Sequence, residues 1–138
     1  MQNTVGVKIE LSIFGELFNP KELTEKIAVL PTSFGVKGDQ ISPQTIKGKV
    51  RKKKETSWEF STGLIETFDF EDAFSIIKTN FQTKEDIISS FVKEYDLAVK
   101  LFVIIKAGND TAPGIYMDKE VLSFITQIGA EIDIDIYV

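Results

Sequence analysis

The chain has 138 residues, 43% of them hydrophobic and 27% charged, with a formal net charge of −5, a composition typical of one ordinary globular domain. It contains neither histidine nor cysteine, which excludes a disulfide framework, a Ser-His-Asp triad, a cysteine nucleophile and a zinc site of the usual His/Cys kind. No apolar run approaches the roughly 18 residues of a membrane span, and no leader follows Met1, so we expect one cytoplasmic domain over residues 1–138 without membrane association.

The first predicted elements are a strand and a helix. Residues 5–13 alternate between apolar and polar or small side chains, which is typical of a strand with one buried face. Asn19, Pro20 and Glu22 stand in the order of an N-cap, a first helical residue and the acidic partner of a capping box. We therefore expect a helix that starts at Pro20, carries Leu23, Ile27 and Leu30 on its inward side, and ends before Pro31.

The next segments carry the basic residues of the chain. Residues 33–36 predict a short strand, and residues 40–44 predict a loop. The basic run at 47–53 reads as a strand, and its cationic side chains share one face at ~6.6 Å spacing. These side chains are Lys47, Lys49, Arg51 and Lys53.

The charge of the chain is unevenly distributed. Residues 47–54 hold six of the sixteen basic residues, and the other 130 positions carry ten basic and twenty-one acidic residues, a formal charge of −11. The basic stripe is interpreted in three ways: a solvated strand face, a docking surface for an acidic protein or small anion, or a nucleic-acid site. Nucleic acid is disfavoured because the acidic remainder repels phosphate and no aromatic residue alternates with the lysines.

The segments after the basic run predict one buried strand and three helices, which together contribute most of the aromatic residues of the core. Trp58 and Phe60 share one face of a strand and are expected to be core residues. Helical spacing of apolar residues then recurs behind Asp69, Thr83 and Asp118, which predicts three amphipathic helices. Their inward residues are expected to be Phe70, Ala73, Phe74, Ile77 and Phe81; Ile87, Ile88, Phe91, Val92 and Tyr95; and Val121, Leu122, Ile125 and Ile128.

Two strands define the faces of the sheet. Residues 97–106 are apolar on both faces, so this strand is expected at the centre of the sheet. The C-terminal strand alternates strictly, which places its isoleucines in the core and Glu131, Asp133, Asp135 and Tyr137 on a wet face. Phe102 and Ile104 would then lie on the wet face, and a helix, a second subunit or a ligand must cover them.

Together these elements predict a single α+β domain. The sheet is expected to be mixed but largely antiparallel, with about five to six strands and with the helices packed mainly on one face. The glycines match neither a G-x-G-x-x-G turn nor a G-x-x-x-x-G-K-[ST] phosphate loop, and we expect no cofactor.

The leading functional hypothesis is a non-catalytic protein-interaction module that binds a protein partner or forms a homodimer. Its predicted binding residues are Lys47, Lys49, Arg51, Lys53, Phe102 and Ile104. The alternative is a small carboxylate- or metal-dependent enzyme that uses Asp133 and Asp135, which would lie ~6.6 Å apart on one strand face. A solvated strand face that discourages aggregation is the simpler interpretation of that acidic pair, so neither a catalytic residue nor a metal is assigned.

The order of several short motifs resembles an uncharacterised bacterial family, the domain of unknown function 4279. The resemblance rests on Ser12-Ile13-Phe14-Gly15 before the Pro20 helix, on Lys37-Gly38-Asp39, on the basic run before Ser57-Trp58, and on the ending from Gly129 to Tyr137. It implies a single-domain bacterial cytoplasmic protein without an established activity. Because some small families of this kind are similar to immunity or accessory proteins of toxin systems, it also hints at such a role.

Overall fold

The computed structural model describes residues 4–46 and 48–138. Within them the elements follow in the order β1 (Gly6–Gly15), α1 (Pro20–Ile27), β2 (Ser33–Gly35), β3 (Gln40–Ile46), β4 (Lys49–Lys52), β5 (Thr56–Ser61), β6 (Ile65–Glu66), α2 (Phe70–Phe81), α3 (Glu85–Tyr95), β7 (Ala98–Lys106), α4 (Lys119–Gln127) and β8 (Ala130–Tyr137). None of the helices in these ranges has the length and apolar character needed to cross a membrane.

The main sheet has the strand order β2-β5-β1-β7-β8, and β6 pairs with the start of β1. All neighbouring strands are antiparallel except β7 and β8, which pair in parallel. The connection between these two strands contains α4. This confirms the predicted α+β fold with a mixed, largely antiparallel sheet. The most apolar strand, β7, does not take the expected central place; β1 lies at the centre, and β7 lies beside it.

The hydrophobic core lies between the sheet and the four helices. Every second side chain of β1, from Val7 to Ile13, is fully buried, because strand alternation turns these side chains toward the helices. Trp58 on β5 is also fully buried, as predicted, and its indole N–H donates to Thr24 Oγ1 of α1 at 2.9 Å. The helices thus cover one sheet face, and we call the other the open face.

The helix boundaries follow the predicted capping residues closely. Asn19 Oδ1 accepts the backbone N–H of Lys21, and Asp118 Oδ1 accepts that of Val121, as side-chain N-caps do. Two inward assignments were wrong. Leu30 is 79% exposed, because α1 ends at Ile27. Leu122 is also exposed, and Phe124 is buried in its place. The buried face of α4 starts at Val121, so the other buried positions lie three, four and seven residues later, at Phe124, Ile125 and Ile128.

The basic run folds as part of a hairpin, which corrects the predicted single strand. Gly48 has φ +78° and stands between β3 and β4, so the run is divided between a turn and β4. The segment expected as a loop at 40–44 belongs to β3 instead. A proline at position 43 disfavours a strand in a sequence-based reading, although edge hairpins accept it.

The hairpin continues the β2–β5 pair beyond the main sheet. The Gly38 N–H donates to the carbonyl oxygen of Lys53 at 2.9 Å, and the Lys53 N–H donates to that of Asp39 at 2.7 Å. Gln40 and Lys52 then pair at the base of the hairpin. We call β3, β4 and residues 53–55 the hairpin arm.

Candidate binding cleft on the open face

The open face has an apolar centre between charged strands. Phe102 and Ile104 of β7 are half-buried there, and in the strand register Glu10 of β1 lies opposite Phe102. On the other side Asp133 pairs with Phe102, and Asp135 pairs with Ile104. As predicted, two large apolar side chains therefore occupy the otherwise polar face of the sheet.

The hairpin arm forms one wall of a cleft above this apolar centre. The cleft has a volume of about 710 Å³, which lies within the range of small-molecule and side-chain pockets. Ile41, Lys53, Lys54 and Glu55 line it from the arm. The sheet contributes Glu10, Ser12, Phe14, Ser57, Glu59, Phe102, Ile104, Asp135 and Tyr137.

Gly35 determines where the side chain of Lys53 lies. A Cβ atom on Gly35 would overlap the Cδ, Cε and Nζ atoms of Lys53. The missing side chain at position 35 therefore lets the Lys53 side chain, from Cδ to Nζ, pack directly against Gly35 of β2. Long cationic side chains commonly bury their stems against a surface in this way.

The chain itself provides part of the cover that Phe102 and Ile104 were predicted to need. The Lys100 ammonium group lies 5.8 Å from the centroid of the Phe102 ring, within cation–π distance. Ile41 and Lys53 of the hairpin arm face the same cleft. Both apolar side chains nevertheless remain partly accessible, so the cleft has room for a further apolar group.

The charged groups of the cleft are largely available to a partner. Glu10 forms an ion pair with Lys8 at 3.1 Å. Among the residues that the structure describes, neither Lys53 nor Asp135 takes part in an ion pair. At the cleft, the hairpin arm thus contributes Lys53 and Lys54 beside Glu55, and the sheet contributes only carboxylates, from Glu10, Glu59 and Asp135.

The structure brings together three of the six predicted binding residues: Lys53, Phe102 and Ile104 line one cleft. Lys49 is exposed on β4 away from the cleft lining, and half-buried Arg51 is engaged in an interaction of its own. Lys47 lies outside the described residues.

Sequence reasoning missed Phe14 and Ile41. Phe14 interrupts the polar series formed by Lys8, Glu10 and Ser12 on β1, and this was a readable signal. Ile41 had none, because its segment was predicted as a loop.

The two residues of the acidic pair share the open face of β8 but differ in exposure and in contact with the cleft. Asp135 is exposed and lines the cleft, whereas Asp133 is half-buried outside the lining. In the described part of the chain, no three carboxylates converge as a metal-ion cluster. Among the described residues, none therefore provides a third acidic side chain that could bind a metal ion together with Asp133 and Asp135.

A second groove of about 490 Å³ lies on the helical side, between α2 and α4. Phe74 and Phe124 meet edge-to-face at its base, 5.9 Å apart. The Lys78 ammonium group pairs with the Glu120 carboxylate across it, and that hydrogen bond and charge raise the pKa of Lys78. Because this groove is bridged by the protein's own ion pair, the open-face cleft is the better candidate site.

Comparison with known proteins identifies a family without an assigned activity. A family model described as a domain of unknown function (DUF4279) matches residues 5–138. No curated protein matches the chain, and no solved structure matches it.

Proposed function

We propose that this chain, which belongs to the DUF4279 family, is a non-catalytic protein-interaction module whose open face binds a second copy of the chain. The observation that carries the proposal is the cleft that Lys53 of the hairpin arm lines together with the apolar pair Phe102 and Ile104. A partner for this surface needs an apolar group for the cleft and carboxylates for the hairpin arm.

A second copy has this chemistry. The open face presents a cationic hairpin arm on one side of Phe102 and an anionic strand, β8, on the other. A twofold axis near the apolar centre would set the hairpin arm of each subunit against β8 of the other, since a symmetric interface pairs each patch with its complement. Complementary charges would then fix the register, and burial of apolar surface would provide much of the affinity.

The proposal is tested by reversing charge on each side of the interface. Two lysines of the hairpin arm that line the cleft are changed in one variant, Lys53→Glu/Lys54→Glu, and two exposed carboxylates of β8 are changed in the other, Glu131→Lys/Asp135→Lys. Each variant alone should sediment as a monomer, because both contacts of its homodimer would join like charges. An equimolar mixture should restore the dimer, because both contacts are then complementary.

The matched control is Lys21→Glu/Lys93→Glu, which reverses two exposed charges on helices. This control should dimerise as the wild type does. Dimerisation of either charge-reversed variant alone, or failure of the mixture to associate, would contradict the proposed interface.

A role as an immunity or accessory protein is an alternative to this proposal, in which an unlike protein occupies the cleft in place of a second copy. In a pull-down from the host, this role predicts that the immobilised wild-type protein retains a host protein and that the Phe102→Lys variant does not retain it. Retention that is equal for the two proteins would rule out the cleft as the binding site for that protein.

A further inference from the structure

The outer edge of β8 is a long strand edge without a neighbour among the described residues. The opposite edge of the main sheet is β2, which has only three residues. β8 has eight residues and contains no proline or lysine; its carboxylates discourage indiscriminate pairing with other strands but leave its backbone groups accessible. Its backbone is therefore open to another strand.

The direction of the backbone groups identifies the free positions on this edge. The carbonyl oxygen of Tyr137 accepts the N–H of Ala107, 2.7 Å away, at the end of β7. The polar groups of successive residues in a strand point to opposite edges, so those of Asp133 and Asp135 also point toward β7. The N–H and C=O groups of Ile132, Ile134 and Ile136 then point away from the sheet.

The side chains of β8 give the edge two distinct faces. Ile132, Ile134 and Ile136 lie on the helical side of the sheet but are 37%, 42% and 63% exposed, which corrects their predicted burial in the core. They are exposed because β8 is the last strand and the helices cover the middle of the sheet. The carboxylates of β8 lie on the open face. A complementary strand would be apolar on one face and basic on the other.

The same charges disfavour pairing of β8 with β8 of a second copy. In an antiparallel pair centred on Ile134, Asp133 of each copy would lie opposite Asp135 of the other. Like charges in directly opposed positions destabilise a strand pair. The carboxylates of β8 therefore disfavour pairing with a second β8 strand and favour pairing with a strand that carries basic side chains.

We propose that β8 is a strand-addition site for an extended segment of another protein in which basic and apolar residues alternate. Main-chain hydrogen bonds to Ile132, Ile134 and Ile136 would provide affinity, and lysine or arginine side chains beside Asp133 and Asp135 would provide specificity. This proposal concerns the sheet edge and does not depend on the cleft or on dimerisation.

The test uses a heptapeptide that alternates lysine and valine, acetylated and amidated at its ends. Amide hydrogen exchange is measured with and without the peptide, both in the wild type and in Lys53→Glu/Lys54→Glu, which should be monomeric. The peptide should slow exchange at Ile132, Ile134 and Ile136 and leave Asp133 and Asp135 little changed. Uniform protection, or none, would overturn the proposal. Failure of dimerisation alone would not affect this result.

Two variants test the role of the Ile134 N–H. Ile134→Pro removes an outward donor without removing a hydrogen bond to β7, which edge positions tolerate, and should weaken peptide binding about tenfold or more. Ile134→Val keeps the donor and an apolar side chain and should bind nearly as the wild type does. Equal binding by the proline variant, or equal binding of a peptide with glutamate in place of lysine, would also overturn the proposal. If the proline variant does not fold, the alternating exchange pattern decides.

Discussion

Trp58 combines complete burial with a satisfied polar group. Its indole N–H donates to Thr24, and its ring meets Phe81 edge-to-face at 6.1 Å between centroids. Its fluorescence emission should therefore be blue-shifted in the native protein and move to longer wavelength on unfolding. Trp58→Ala should lower the free energy of unfolding by about 3–5 kcal/mol, measured by denaturant titration. Native emission at the wavelength of exposed tryptophan would contradict this placement.

The half-buried Tyr95 makes stability depend on pH at the alkaline end. Burial, together with hydrogen bonds and negative charge from Glu94 and Glu22, raises the pKa of Tyr95 to about 12 from its ordinary value of 10.0. Between these values the unfolded chain loses the phenol proton while the folded protein keeps it. The contribution of Tyr95 to stability is therefore complete below pH 10 and is lost as the pH rises toward about 12.

The matched variants are Tyr95→Phe and Tyr116→Phe, since Tyr116 is exposed. Melting temperatures measured from pH 9 to about pH 12 should fall less steeply for Tyr95→Phe than for the wild type. Tyr116→Phe should follow the wild type. Identical slopes for Tyr95→Phe and the wild type would show that Tyr95 ionises equally in both states.

At the scale of the elements, two helix starts that look alike in sequence differ in structure. Asp118 accepts the Val121 N–H at the start of α4, whereas the Asp69 side chain makes no capping hydrogen bond at the start of α2. Asp118→Ala should therefore lower the free energy of unfolding by about 1 kcal/mol. Asp69→Ala should have a smaller effect in the same denaturant titration. The reverse order would contradict the observed caps.

Helices and interior strands could be predicted from the sequence because local signals determine them. Asn19-Pro20 started α1 as expected, and alternation in β1 identified its buried face. The hairpin was not predicted, because its turn at Gly48 lies inside the basic run, which was interpreted as one strand, and its first strand contains a proline. The exposure of Ile134 could not be predicted either. Alternation indicates on which face of the sheet a side chain lies, but it does not indicate whether the strand is at the edge of the sheet.

The candidate site was only partly predictable for a related reason. Phe102 and Ile104 were found because they interrupt a polar face within one strand. That Lys53 lines the same cleft depends on where the hairpin arm lies relative to the sheet, which no local pattern reports. The space left by Gly35 for the Lys53 side chain is likewise a contact between distant strands.

At the scale of the whole molecule, the charge distribution predicts weak interaction with nucleic acid. The hairpin arm is basic, but the chain outside residues 47–54 has a formal charge of −11, and phosphate contacts are opposed by that field. We expect no retardation of duplex DNA in a gel-shift assay at physiological salt. Retardation that disappears in Lys49→Glu/Lys52→Glu would contradict this prediction and would indicate that the hairpin arm binds nucleic acid instead of a protein.

The central claim is that the open-face cleft holds a second copy of the chain, and sedimentation velocity at micromolar concentration tests it most directly. The wild type should sediment as a dimer, and added salt should weaken association only partly, because apolar burial is not screened. Phe102→Lys should raise the dissociation constant about tenfold or more, since it puts a charge into the apolar centre. A wild type that remains monomeric, or a Phe102→Lys variant that associates equally well, would contradict the account.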